Sequence, residues 1–140
     1  MAYCSEEDLL KMIPQSELAE LTAESGEVPD SLIIVDAIDK AGGEIDAYLG
    51  VKYVVPLAAP PAQVKALAVD LAIYHLYSRR SVVPPVRQQK YEAAVVFLKQ
   101  VAAGQLVIAG PQGELPTVAK RVTDATSAIR AFTRDTQADW

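Results

Sequence analysis

Residues 62–80, AQVKALAVDLAIYHLYSRR, decide the fold of this chain. Apolar side chains recur in this stretch at spacings of three and four residues and lie almost all the way round a helix. That distribution is typical of a helix buried on most of its surface, so the stretch predicts a central helix. The apolar positions are Val64, Leu67, Ala68, Val69, Leu71, Ala72, Ile73 and Leu76.

A second long helix is predicted over residues 31–49, where one apolar stripe recurs at the same spacings. Asp30 or Ser31 caps its start, and Gly50 is expected to end it in a left-handed conformation. Gly42–Gly43 interrupts the stripe at a cost of roughly 1 kcal/mol per glycine relative to alanine. That cost is tolerable where another backbone approaches closely or where the helix bends.

Two short helices are predicted near the start of the chain. Ser5 and Asp8 resemble a capping box with Asp in place of Glu, and the acids there suit the positive end of a helix dipole. Pro14 ends this first helix, and a second begins near Ser16. The apolar stripe of the first helix consists of Leu9, Leu10, Met12 and Ile13.

The prolines of residues 51–61, VKYVVPLAAPP, predict an extended connector instead of a helix. Tyr53, Val54 and Leu57 are expected to attach this connector to the core. A last long helix over residues 85–103 closes at Gly104.

These patterns predict an all-α protein, a compact bundle of about five helices of which two are short and three are long. Residues 1–110 form the helical domain. Residues 111–140 show no amphipathic period towards their end and are expected to form a C-terminal tail that is partly disordered or ordered by a partner.

The composition predicts a cytosolic protein with a core of its own. The hydrophobic fraction is 51% and the aromatic fraction only 6%, a mixture suited to aliphatic helix packing. No segment approaches the ~20 uninterrupted apolar residues that a membrane span needs. The first residues lack the basic start and apolar run of a signal peptide, and a single cysteine, Cys4, excludes an internal disulfide.

Charge is divided unevenly along the chain. Residues 1–50 hold twelve acids and two bases, whereas residues 51–140 hold eleven bases and six acids. One interpretation is that every helix has a solvated charged face and that the acidic and basic residues are distributed unevenly among these faces by chance. The other is that an acidic region of one copy meets a basic region of the next, which favours head-to-tail association.

Residues suited to catalysis are sparse. His75 is the only histidine, so with a single cysteine the chain cannot build a zinc site of the usual His/Cys kind. It lies in the most apolar helix and is expected to be packed or bonded to a carbonyl. Exposed positions of one helix are expected for Asp36, Asp39, Glu44 and Asp46. We therefore predict no catalytic residue, no metal and no cofactor, and hence no enzyme.

The densest basic stretch contains Arg79, Arg80, Arg87 and Lys90, with no acid between residues 71 and 91. Two interpretations are open. The basic residues cap helix ends beside a loop, or they form a docking surface for an acidic partner or a patch near a nucleic-acid path. Asp70, a carboxylate within the apolar helix, needs a partner and is expected to face Arg79, Arg80 or a neighbouring subunit.

Several short motifs occur in order along the chain. They are the opening YCSEEDLL of residues 3–10, EIDAYL of 44–49, KYVVPL of 52–57, AVDLAIYHLYSRR of 68–80, the stretch that begins YEAA at 91–94 and runs through Leu98 to Gly104, and FTRDT of 132–136. In this order they resemble the Mu-like phage neck proteins, a family also described as a domain of unknown function in prophages, and the resemblance covers nearly the whole chain.

The resemblance implies a head-tail connector, a neck adaptor whose copies form a ring between the portal and the tail or head-closure protein. Such a ring extends the channel through which double-stranded DNA passes without specific binding. It implies a virion neck location, after assembly in the host cytoplasm. In similar adaptors the C-terminal segment orders on a partner, so partner contacts are predicted for Phe132, Arg134 and Trp140 in addition to the basic stretch.

A small all-helical DNA-binding regulator is the alternative, because two short helices at the start of a chain can imitate a helix-turn-helix. The twelve acids of the first fifty residues disfavour it, since they would repel phosphates.

Overall fold

Five α-helices follow one another in the computed structural model, which describes residues 2–23, 26 and 28–108. The described part of the chain contains no β-strand. The predicted all-α class, with two short and three long helices, is confirmed. The predicted tail over residues 111–140 lies outside the described residues. The helices are α1 (Glu6–Leu10), α2 (Gln15–Thr22), α3 (Ser31–Leu49), α4 (Ala62–Arg79) and α5 (Pro85–Ala102).

The helix α4 is the centre of the bundle, as its sequence predicts. It packs against each of the other four helices, most extensively against α3 and α5. Because its neighbours lie on several sides, apolar residues are needed around most of its circumference. The buried ones are Val64, Ala68, Val69, Leu71, Ala72, Ile73 and Leu76.

The start of α3 and the end of α5 follow the sequence signals. The Asp30 side chain accepts a hydrogen bond of 3.0 Å from the amide of Leu32 and caps α3. Gly104 adopts a left-handed φ of 81° after α5. The amide of Gln105 then reaches the carbonyl of Gln100 at 2.9 Å, which satisfies an orphan acceptor of the last turn.

The left-handed conformation expected for Gly50 is wrong, because its φ is −59°. The amides of Gly50 and Tyr53 bond to the carbonyls of Asp46 and Leu49, each at 2.8 Å. Helical hydrogen bonding therefore continues past the end of α3, and no reversal of φ is needed.

The stripe predicted for α1 is half right. Leu9 and Ile13 are buried, and their spacing of four residues places them on one face. Leu10 and Met12 lie away from that face and remain 39% and 45% exposed. Among the described helices, this short helix packs mainly against α3 and α4, so one side of it is buried.

The connector between α3 and α4 is attached to the core by two of its three predicted residues. Tyr53 and Leu57 are buried, whereas Val54 is exposed. The Tyr3 hydroxyl adds a polar attachment, because it accepts a 3.0 Å hydrogen bond from the Leu57 amide and donates to the Asp46 carboxylate. Burial and the bond to Asp46 raise the pKa of Tyr3 to about 12.

Candidate interaction surface

The two halves of the basic stretch contact different elements of the bundle. Arg79 and Arg80 lie at the end of α4 and reach the C-terminal end of α2. Their guanidinium groups donate to the Leu21 carbonyl at 3.2 and 3.4 Å, and Arg80 also donates to the Ala23 carbonyl at 2.9 Å. Cations are favourable at this negative end of a helix dipole. Both arginines remain exposed.

The other half, Arg87 and Lys90 on α5, faces Asp70 on α4. Burial raises the pKa of Asp70 above its ordinary value, and the positive charges of Lys90 and Arg87 offset part of that rise. The expectation that Asp70 meets Arg79 or Arg80 is therefore wrong within one subunit. Asp70 lies about two and a half turns before the end of α4, whereas the antiparallel start of α5 passes beside it.

A polar cluster joins the three long helices. One carboxylate oxygen of Glu44 on α3 lies 3.1 Å from Nε2 of His75 on α4. The other oxygen accepts a 2.9 Å hydrogen bond from the hydroxyl of Tyr91 on α5. Tyr91 also stacks on Tyr74, with ring centroids 3.8 Å apart. Burial and the bond to Glu44 raise the pKa of Tyr91 to about 12.

This cluster corrects two expectations. The polar partner of His75 is a carboxylate, not a carbonyl. Glu44 and Asp46 are half-buried and bonded, whereas Asp36 and Asp39 are exposed as expected. No signal in a single sequence pairs residues 31 or 47 positions apart, so these contacts could not be predicted. Glu44 is bonded to both His75 and Tyr91, and internal pairing of this kind is typical of polar networks that stabilise a fold.

A groove of about 360 Å³ opens beside α1, α4 and the start of α5, and we call it the lysine groove. Its apolar surface comes from Met12, Ala62, Ala66 and Val69, and its cationic groups are Lys11, Lys65 and Lys90. Lys65 pairs with Asp8 at 3.1 Å, and Lys11 lies 3.5 Å from the same carboxylate. No sequence pattern predicted this groove, although Met12, which belongs to it, was expected in the apolar stripe of α1.

The start of α3 carries an exposed apolar surface, which we call the α3 patch and define by Val28, Leu32 and Val35. These side chains are 75%, 82% and 53% exposed. Leu32 and Val35 lie three residues apart on one helix and therefore share a face. Neighbouring exposed apolar side chains of this size are typical of surfaces that other molecules cover.

The described residues contain no group of three or more His, Cys, Asp or Glu side chains placed to hold a metal ion. None of the described helices combines the length and hydropathy of a bilayer-spanning segment. Phe132, Arg134 and Trp140, for which partner contacts are predicted, lie outside the described residues.

Comparison with known proteins agrees with the order of the sequence motifs. The family model described as bacteriophage Mu, Gp36 matches residues 3–132. The chain belongs to this family. A relative, the Mu-like prophage FluMu protein gp36 of Haemophilus influenzae, is 30% identical over 105 residues, which cover 74% of this chain and 73% of the relative.

Membership of the gp36 family confirms the predicted resemblance to a Mu-like phage family. The matched range includes all five helices, the lysine groove and the α3 patch. It also extends beyond Ile108, the last described residue, as far as Phe132.

Proposed function

We propose that the chain is a structural subunit of the phage neck. Its copies assemble into an oligomeric ring between the portal and the tail or head-closure protein, and the ring extends the channel for double-stranded DNA. The observation that carries this proposal is the gp36 family match over residues 3–132. The neck role itself comes from the resemblance of the sequence motifs to head-tail connectors.

The surface of the subunit supports an assembly role. Leu32 is 82% exposed, and Val28 and Val35 lie beside it in sequence. A monomer gains nothing from keeping such side chains in water, whereas a subunit interface removes them from it. A closed ring uses two different surfaces of each subunit, and the unequal division of charge along the chain fits such an interface.

In this role the protein surrounds DNA without binding it specifically and catalyses no reaction. Twelve acids among the first fifty residues disfavour tight binding to phosphates, so DNA passes through the ring without specific contacts. Glu44 bonds to both His75 and Tyr91, and this internal pairing supports a structural role for the three side chains. No cofactor is required for an assembly role of this kind.

Two measurements test the ring. Size-exclusion chromatography with light scattering, followed by electron microscopy, is expected to show a closed oligomer or a concentration-dependent series that leads to one. Gold-labelled antibody on purified virions is expected to mark the junction of head and tail. A protein that stays monomeric alone and with the purified portal protein, and is absent from virions, contradicts the proposal.

A low-salt gel shift separates the ring from the alternative DNA-binding regulator. The ring predicts weak duplex binding without sequence preference. Tight, sequence-specific binding favours the regulator, and turnover in a broad substrate screen contradicts the non-enzymatic role.

A further inference from the structure

The α3 patch and the lysine groove are surfaces of opposite charge. Asp30, Asp36 and Asp39 are exposed in or next to the patch, and Lys40 is the one base among residues 28–40. Lys40 pairs with Asp36 at 2.8 Å, with both side chains more than 60% exposed. The patch therefore presents apolar side chains inside an acidic border.

The groove has the complementary arrangement. Its apolar surface of Met12, Ala62, Ala66 and Val69 is bordered by three lysines. Asp8 and Asp70 also line it, so the groove has a net charge of one positive unit. The Lys65 ammonium pairs with Asp8 but its side chain remains 52% exposed, and that of Lys11 is 73% exposed. Both ammonium groups can therefore meet a second carboxylate.

We infer that the α3 patch of one copy docks into the lysine groove of the next copy. Leu32 and Val35 enter the apolar part of the groove, and Asp36 and Asp39 lie towards its lysines. This inference rests on the proposed ring and names the interface between its subunits.

The two surfaces explain why association does not stop at a dimer. They share no residue and belong to different elements, α3 on one side and α1, α4 and α5 on the other. A subunit can therefore offer its patch to one neighbour and its groove to another. Such a heterologous contact produces a ring when its rotation closes.

Two variants test the interface, each with a matched control. Val35→Asp places a charge in the patch, and Val96→Asp is its control because Val96 also lies within a long helix and is 52% exposed. Ala66→Trp fills the groove from an exposed helical position, and Ala93→Trp does the same on an exposed position of α5. Circular dichroism first establishes that all four variants remain folded.

Sedimentation velocity over a concentration series then measures self-association. We expect Val35→Asp and Ala66→Trp each to raise the dissociation constant at least about tenfold, equivalent to about 1.4 kcal/mol. The two controls are expected to associate as the unmodified chain does. Association that survives Ala66→Trp means that the contact between copies does not use the groove, and this result overturns the inference.

Mixing the two disruptive variants is the decisive step. Val35→Asp keeps an intact groove and Ala66→Trp keeps an intact patch, so the mixture is expected to form one-to-one heterodimers and nothing larger. A mixture that stays monomeric overturns the head-to-tail contact. An unmodified chain that stays monomeric alone and with the purified portal protein, and is absent from virions, overturns the ring together with this interface, whereas assembly unaffected by either variant overturns the interface alone.

Discussion

The Tyr91 hydroxyl on α5 donates a 2.9 Å hydrogen bond to the Glu44 carboxylate on α3. The other oxygen of the same carboxylate lies 3.1 Å from Nε2 of His75 on α4. A single half-buried side chain thus connects the three long helices. Hydrogen bonds to charged groups typically contribute more to stability than bonds between neutral groups.

Tyr91→Phe tests this connection. The substitution keeps the ring that stacks on Tyr74 and removes only the hydroxyl. We expect the free energy of unfolding to fall by about 1–2 kcal/mol in urea denaturation. A double-mutant cycle with Glu44→Leu, which removes the acceptor, supplies the control, because a coupling energy near zero between the two positions would show that the bond contributes nothing.

Alkaline pH should destabilise the fold through Tyr3. In the unfolded chain this phenol ionises near pH 10, whereas burial and the bond to Asp46 raise its pKa to about 12 in the folded protein. The folded state therefore holds the proton more tightly, and the contribution of Tyr3 is complete below pH 10 and is lost as the pH rises towards 12. The expected slope is about 1.4 kcal/mol per pH unit.

Comparison with Tyr3→Phe isolates that contribution. The difference in unfolding free energy between the two proteins is expected to change between pH 10 and pH 12, because only the unmodified chain carries the Tyr3 hydroxyl. A difference that stays constant over this range contradicts the shifted pKa.

Low pH should destabilise the fold through protonation of Asp8. Burial raises the pKa of this carboxyl, but hydrogen bonds from Ser5 and Lys65 outweigh burial and lower the pKa to about 2. Its contribution is therefore present above an unfolded value near 4 and is lost as the pH falls through 2. Asp8→Asn is expected to lower the unfolding free energy at neutral pH by about 2 kcal/mol and to flatten the acid limb of the stability profile.

Glu7→Gln is the control for Asp8, since Glu7 lies in the same turn and is exposed. It should leave the acid limb unchanged. Equal effects of the two substitutions would point to the general charge of the first turn instead of the bonds made by Asp8.

Two glycines should respond to alanine with opposite signs. A Cβ atom at Gly43 would meet nothing within 4 Å, so Gly43→Ala is expected to stabilise α3 by about 0.5–1 kcal/mol. Gly104 has a φ of 81° and would bring a Cβ atom to 3.0 Å from the Lys52 ammonium, so Gly104→Ala is expected to destabilise by about 1 kcal/mol. Thermal unfolding of both variants checks the signs, and a gain in stability at Gly104 would contradict the left-handed turn.

Arg79 and Arg80 should stabilise α2. Their bonds to the Leu21 and Ala23 carbonyls tie the end of α2 to the end of α4. Replacing both with alanine is expected to speed amide hydrogen exchange in α2, with a loss of about 0.5–1.5 kcal/mol of local stability. Arg87→Ala, which leaves these carbonyls untouched, should not change exchange in α2. Unchanged exchange in the double variant would show that the two arginines do not stabilise α2, and would favour the partner contact predicted for them from the sequence.

Local sequence signals predicted the elements of the fold closely. The apolar period and a cap at Asp30 or Ser31 predicted a helix that ends at Leu49, and the structure shows α3 over Ser31–Leu49 with Asp30 as its cap. The all-round apolar surface of residues 62–80 predicted the central position of α4 because few other environments remove so much apolar surface from water. The ordered motifs also pointed to the Mu-like phage family that the gp36 match shows.

Long-range pairing was decided only by the tertiary structure. Arg79, Arg80, Arg87 and Lys90 are close in sequence, but two of them reach α2 and two face Asp70. The helical period determines which side chains share a face of the helix. The residues that this face contacts are determined only by where the neighbouring helices lie. For the same physical reason the sequence alone determined that α3 exists and that it ends at Leu49, whereas the tertiary structure decided that Glu44 joins His75 and Tyr91 and that Leu32 remains in water.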